Sequence, residues 1–201
     1  MQRYGPTTAL VIVDVQNDFA DRAGSLSVLG GEAIIPVING QIGDASAAGA
    51  LVVATQDWHP PSTAHFAKDG GMWPVHCVAD TWGSDLHPAL ILPDDAPRIR
   101  KGANGEDGYS GFTMRDPVTG HERPTALEAL LRDHAIERVV VVGLATDYCV
   151  KATALDAVQL GYATDLLTDA VAAVDLEPGD GEIALAELRT AGVTLRPGVG
   201  R

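Results

Sequence analysis

The chain has little cysteine, few aromatic residues, a shortage of positive charge and no long apolar run. Two cysteines in 201 residues cannot form a disulfide framework, which fits a reducing compartment. Fourteen Lys and Arg against 27 Asp and Glu leave a net charge of -13. Such a balance argues against nonspecific binding of nucleic acid or of an anionic membrane surface, so the expected partner is a small molecule. The longest apolar runs, among them Ala9 to Val13 and Leu51 to Ala54, are far too short for a membrane span or a signal-peptide core, and the expected location is cytoplasmic. No repeat or low-complexity tract interrupts a composition that is 46% hydrophobic and 20% charged, and the length suits one domain spanning residues 1–201. Nothing in this composition fixes the oligomeric state; an oligomer is compatible with it.

What is present is a set of short buried-strand patterns. Arg138 to Gly143 reads RVVVVG, four valines without polar alternation, as a parallel strand covered on both faces requires. After it Val150, Ala154, Leu155, Val158 and Leu160 recur at helical spacing until Gly161, which predicts a helix beginning near Thr146 or Asp147 with Cys149 in its first turn. At that position unpaired N–H groups and the helix dipole favour a thiolate. The same N–H groups can receive an oxyanion. Taken alone, however, a cysteine is more often a buried structural residue.

Further strands are expected at Thr8 to Val13, Ala50 to Thr55, a short segment ending near Lys101, Ala163 to Thr168 and Val193 to Leu195. Helical patterns lie at Gly31 to Ala48, Thr125 to His134 and Gly181 to Ala191, whereas Asn17, Asp18 and Phe19 read as loop. The alternation predicts an α/β three-layer sandwich: a six-stranded, mainly parallel sheet with helices on both faces. Gln56 to Pro97 is a long, Pro-, His- and Trp-containing stretch of the kind that carries function.

Ligands of open parallel sheets bind beyond the carboxyl ends of the strands. That rule gathers Asp14, then Gln56, Asp57 and His59, then Lys101 and Cys149 onto one rim. Singly, Asp14 reads as a loop aspartate and Lys101 as a solvated lysine; their shared position raises the functional reading. Asp57, His59, His65 and His76 suit one divalent ion such as Zn, Fe or Mn, with imidazole as the main donor. His87, His121 and His134 fall in no pattern and are expected at the surface. Cys77 is expected to be a small buried residue, and Gly102 to Gly111 lacks the order of a phosphate loop.

Five segments carry a resemblance: Asp14-Val15-Gln16-Asn17-Asp18-Phe19; Asp57-Trp58-His59 with His65; Trp73-Pro74-Val75-His76-Cys77; Lys101-Gly102 with Tyr109-Ser110-Gly111-Phe112; and Ala145-Thr146-Asp147-Tyr148-Cys149-Val150. In this order the chain resembles the nicotinamidases of the isochorismatase-like cysteine hydrolase family. The resemblance implies a catalytic triad of Asp14, Lys101 and Cys149, and a metal held by Asp57, His59, His65 and His76. It also implies an oxyanion hole from Ala145 and Cys149 with a cis peptide before Ala145, and hydrolysis of nicotinamide through a cysteine thioester. Phe19, Trp73 and Tyr148 are suited to wall a flat ring, with Leu26, Leu144 and Tyr109 completing the pocket. A hydrolase of the same family acting on another small amide, and a noncatalytic protein whose metal stabilises the long loop, are the alternatives.

Overall fold

The computed structural model describes residues 3–198. Its main sheet has six strands in the order β3-β2-β1-β6-β7-β8, all neighbours parallel. The strands are β1 (Thr8–Val13), β2 (Leu51–Asp57), β3 (Arg98–Lys101), β6 (Arg138–Leu144), β7 (Ala163–Ala172) and β8 (Thr194–Arg196). Between β3 and β6 runs a separate antiparallel hairpin of β4 (Thr113–Arg115) and β5 (Glu122–Pro124). The helices are α1 (Asn17–Ala20), α2 (Ile35–Ala47), α3 (Leu127–Asp133), α4 (Lys151–Gln159) and α5 (Asp180–Thr190).

Side chains alternate across the sheet, so each central strand feeds two cores. Leu10 and Ile12 of β1, with Val52, Ala54, Val140 and Val142, pack on Ile35, Ile38 and Ile42 of α2. Ala9, Val11 and Val13, with Val53, Val139 and Val141, pack on the other face against Leu127 and Leu131 of α3, Ala154 and Ala157 of α4 and Leu188 of α5. The expected three-layer arrangement is therefore present. Each fully buried Leu, Ile or Val contributes about 1.5–3 kcal/mol relative to exposure. Among the described residues, no helix is long and apolar enough to cross a membrane.

Several local expectations are corrected. Asn17 to Phe19 is not loop but the start of α1, whose four residues are all buried. β2 runs two residues past Thr55, so Gln56 and Asp57 end the strand rather than follow it. The helix expected at Thr146 opens with a π turn over Thr146–Val150, closed by Val150 N–H donating to Ala145 O at 3.0 Å, before α4 begins. β7 extends to Ala172, with a register shift opposite Val141 and Gly143. The β4-β5 hairpin was not expected: its strands are three residues each and largely exposed, so no apolar period announces them.

One glycine fits β1 against β6 beside the site. Gly143 pairs with Val13, has φ 113, and a Cβ there would overlap the Val13 backbone.

Candidate active site

Asp14 follows β1 in a left-handed conformation, φ 49, which turns its fully buried carboxylate across the ends of the strands. Thr55, one residue beyond the stretch of β2 that pairs with β1, holds it from both directions. Thr55 Oγ1 donates to Asp14 Oδ1 at 2.6 Å and accepts the Asp14 backbone N–H at 3.2 Å. Asp57 and Lys101 are register partners at the ends of β2 and β3. Gln16 fixes Asp57 in turn, accepting its N–H at 2.8 Å and donating to its carbonyl at 2.8 Å.

Lys101 is only 1% exposed, and its ammonium meets three groups. Nζ lies 2.8 Å from Asp14 Oδ2, donates to Asp57 Oδ1, and lies 3.6 Å from Cys149 Sγ. Ligand atoms of Asp14, Asp57 and Cys149 are all within 4.8 Å of one another. The three expected triad groups are thus brought together. Asp57, expected only at the metal, also touches the same ammonium.

The electrostatics correct one expectation. The Cys149 thiol is not lowered by its helix end: burial pushes its pKa well above 9.0, with Asp14 and Asp57 adding to the rise and Lys101 opposing it. Burial also raises Asp14 above 3.8, against the pull of Lys101. Lys101, despite burial, is held well above its ordinary value by Asp14 and Asp57. A thiol and a carboxyl both raised beside one ammonium titrate as a coupled set.

Across Asp57 lie the three expected histidines, all buried. His59 and His65 stack with centroids 4.9 Å apart, and His76 meets them edge-on at 5.2 and 5.3 Å. One ligand nitrogen from each lies within 4.8 Å of the others, while Asp57 Oδ2 is 3.8 Å from His59 Nε2 and 4.0 Å from His76 Nε2. Neither ring nitrogen of His59 has a hydrogen-bond partner. A buried imidazole left so is costly unless a metal takes its lone pair, so the donor set fits a divalent ion. Burial lowers the His76 pKa to about 4 and keeps it a neutral donor, although Asp57 opposes the shift. Gly102 makes room for the cluster: its φ is +83, and a Cβ would stand 2.7 Å from His59 Nδ1.

The cavity between the two groups is lined by Phe19, Leu26, Trp73, Tyr109, Leu144, Tyr148 and Cys149, so every expected wall residue takes part. Val28 and Val174 line it as well. Tyr148 stands edge-on to Trp73 at 4.9 Å and to Tyr109 at 5.3 Å, and Trp73 Nε1 donates to Tyr109 Oη at 3.0 Å. The Leu144–Ala145 peptide is cis, as expected. Cys77 is buried, with its N–H donated to Asp18 Oδ2 at 2.7 Å. His121 and His134 are exposed as expected, but His87 is buried, with Nε2 3.7 Å from Asp21 Oδ2.

Sequence reasoning missed Thr55, Val28, Val174 and Asp107, whose Oδ1 accepts a bond from His65 Nδ1 at 2.8 Å. Thr55 was within reach: the registers Val11 with Val53 and Ile12 with Ala54 carry it to the level of Val13, the residue before Asp14. The others gave no signal in the residue pattern.

An acid, an amine and a thiol meeting at the carboxyl ends of a parallel sheet, in this three-layer architecture, define the isochorismatase-like α/β hydrolases. The chain belongs to that family: the model of the isochorismatase domain matches residues 8–196. It is 40% identical over 206 residues to the nicotinamidase of Escherichia coli (strain K12), covering 94% of each chain. The crystal structure of the pyrazinamidase of Pyrococcus horikoshii in complex with zinc superposes with a TM-score of 0.85 at 40% identity, covering 96% of this chain and 99% of that one. Yeast nicotinamidase bound to the inhibitor nicotinaldehyde gives a TM-score of 0.86 at 30% identity, covering 94% of this chain and 99% of that one.

Proposed function

We propose that this chain is a metal-dependent amidohydrolase that converts nicotinamide and water to nicotinate and ammonia, with Cys149 as nucleophile. The observation that carries the reading is the single ammonium of Lys101 joining Asp14, Cys149 and Asp57, beside three histidines with convergent ring nitrogens. The names of the similar enzymes, which act on nicotinamide or pyrazinamide, support the choice of substrate.

Asp57, His59, His65 and His76 would hold one divalent ion, which would supply Lewis acidity to anchor the ring nitrogen of the substrate. Phe19, Trp73 and Tyr148 clasp the ring, and each such contact adds about 1 kcal/mol. With the carboxamide against Cys149, Asp14 takes the thiol proton as sulfur attacks the carbonyl carbon. Lys101 compensates the negative charge of the pair throughout. Backbone N–H groups of Ala145 and Cys149 receive the oxyanion. Asp14 returns its proton to the departing nitrogen, ammonia leaves and a thioester remains. Water then attacks the thioester and gives its proton to Asp14, which hands it to the leaving sulfur as nicotinate forms.

The pocket wall is apolar, so pyrazinamide-type analogues are expected substrates too, since such walls separate near-isosteres poorly. This chemistry gives the chain a place in pyridine-nucleotide salvage inside the cytoplasm. Ammonia release from nicotinamide tests the reading. Activity lost to a chelator, restored by metal and absent from Cys149→Ala supports it; wild-type turnover in Cys149→Ala removes Cys149 as nucleophile. Bound metal with no turnover would favour a noncatalytic role, and turnover of a different amide alone would move the chain to another branch of the family.

A further inference from the structure

The three clustered imidazoles are held in three different ways. His59 makes no hydrogen bond through either ring nitrogen. His76 uses Nδ1 on a neutral acceptor, the Pro74 carbonyl at 2.7 Å. His65 alone uses Nδ1 on a carboxylate, Asp107 Oδ1 at 2.8 Å.

That carboxylate is itself fixed. Oδ1 also accepts the Gly108 N–H at 2.8 Å, and Oδ2 accepts Arg115 Nη2 at 2.9 Å. The backbones of Asp107 and Arg115 bond to each other in both directions at 2.6 Å. Arg115 is the last residue of β4, in the hairpin that stands apart from the main sheet.

We propose that Asp107 is a positioning residue for the metal cluster, and that the β4-β5 hairpin, through Arg115, is the brace that keeps it in place. The inference rests on reading His59, His65 and His76 as metal ligands. An ionised carboxylate only accepts hydrogen bonds, so Nδ1 of His65 carries the proton and Nε2 keeps its lone pair. The negative charge behind the ring makes Nε2 a stronger donor, and the bond fixes the ring plane. Loss of such an outer partner weakens metal affinity by about 10- to 100-fold. The Arg115 side chain is 55% exposed, so its own contribution is small, of the order found for surface ion pairs.

Zinc(II) titrated into metal-free protein against a chromophoric chelator measures the effect directly, with the melting temperature of each metal-free variant recorded alongside. Asp107→Ala should bind zinc about 10- to 100-fold more weakly than wild type. Asp107→Asn should lose less, because its amide oxygen still accepts the His65 proton, and Arg115→Gln should lose least. This graded order at unchanged metal-free melting temperature is what a purely structural role would not give. Should Asp107→Ala fail to fold, the isosteric Asp107→Asn and the peripheral Arg115→Gln decide the question. Zinc binding by Asp107→Ala and Asp107→Asn as tight as wild type, with His65→Ala impaired, overturns the role of Asp107 and leaves the metal site standing. Failure of wild type itself to take up zinc overturns the site and the inference together.

Discussion

Replacing Lys101 by Met leaves two buried carboxylates without their cation, and its consequences can be worked from the geometry. Asp14 is 0% and Asp57 5% exposed, so water cannot compensate either. At the observed 2.8 Å to Asp14, the gross attraction is about 6 kcal/mol at an effective dielectric constant of about 20. Relief of the ammonium's own desolvation offsets part of this, and breaking a buried pair costs about 3–5 kcal/mol net. For a chain of this size each kcal/mol moves the melting temperature by about 2–4 °C, so a fall of about 6–20 °C is expected. The dependence on pH has a definite sign. Asp14 already has a folded pKa above 3.8, and loss of Lys101 raises it further. A raised carboxyl binds more protons folded than unfolded, so the variant gains stability as pH falls through the folded pKa and loses it as pH rises. Asp14→Asn in the same background removes the uncompensated charge and should recover about half of the loss. Calorimetry of the metal-free single and double variants reads all of this. A Lys101→Met protein melting within about 2 °C of wild type at neutral pH, or one that Asp14→Asn does not rescue, would refute the reasoning.

Two further outcomes follow from the same groups. The profile of kcat/KM against pH should be bell-shaped, since the working state carries one proton between Asp14 and Cys149: its acid limb lies above 3.8 and its alkaline limb above 9.0, and a limb below either value contradicts the shared proton. Thr55→Val leaves Asp14 Oδ1 and the Asp14 N–H without a partner, which should cost about 1–3 kcal/mol in thermal denaturation and lower kcat/KM by about 10- to 100-fold; unchanged kinetics would show that Asp14 is oriented without it.

Most of the frame was legible because buried parallel strands announce themselves. Runs such as TALVIV and RVVVVG have no solvated face to encode, and the strand-end rule then placed Asp14, Lys101 and Cys149 on one rim. Histidine and aromatic positions came from motif order. The sequence did not reveal features made by contact alone. Asp107 is one of two adjacent acidic residues in a Gly-rich segment, and only its meeting with His65, 42 positions away in the chain, gives it meaning. The thiol was misjudged because a helix-end argument weighs the nearby dipole and leaves out burial, the larger effect here. The π turn escaped because one extra residue in a first turn barely alters an apolar period.

The sheet's border also matters for how the chain fails. Every strand-borne group in the pocket except one hangs from β1, β2 or β6, each flanked on both sides, whereas Lys101 ends a four-residue strand with a single neighbour, β2. Marginal strands of this kind open first, before the interior gives way. Gentle warming or mild denaturant should therefore silence turnover while the bulk of the secondary structure persists, making catalysis an early-warning gauge of fraying at one margin.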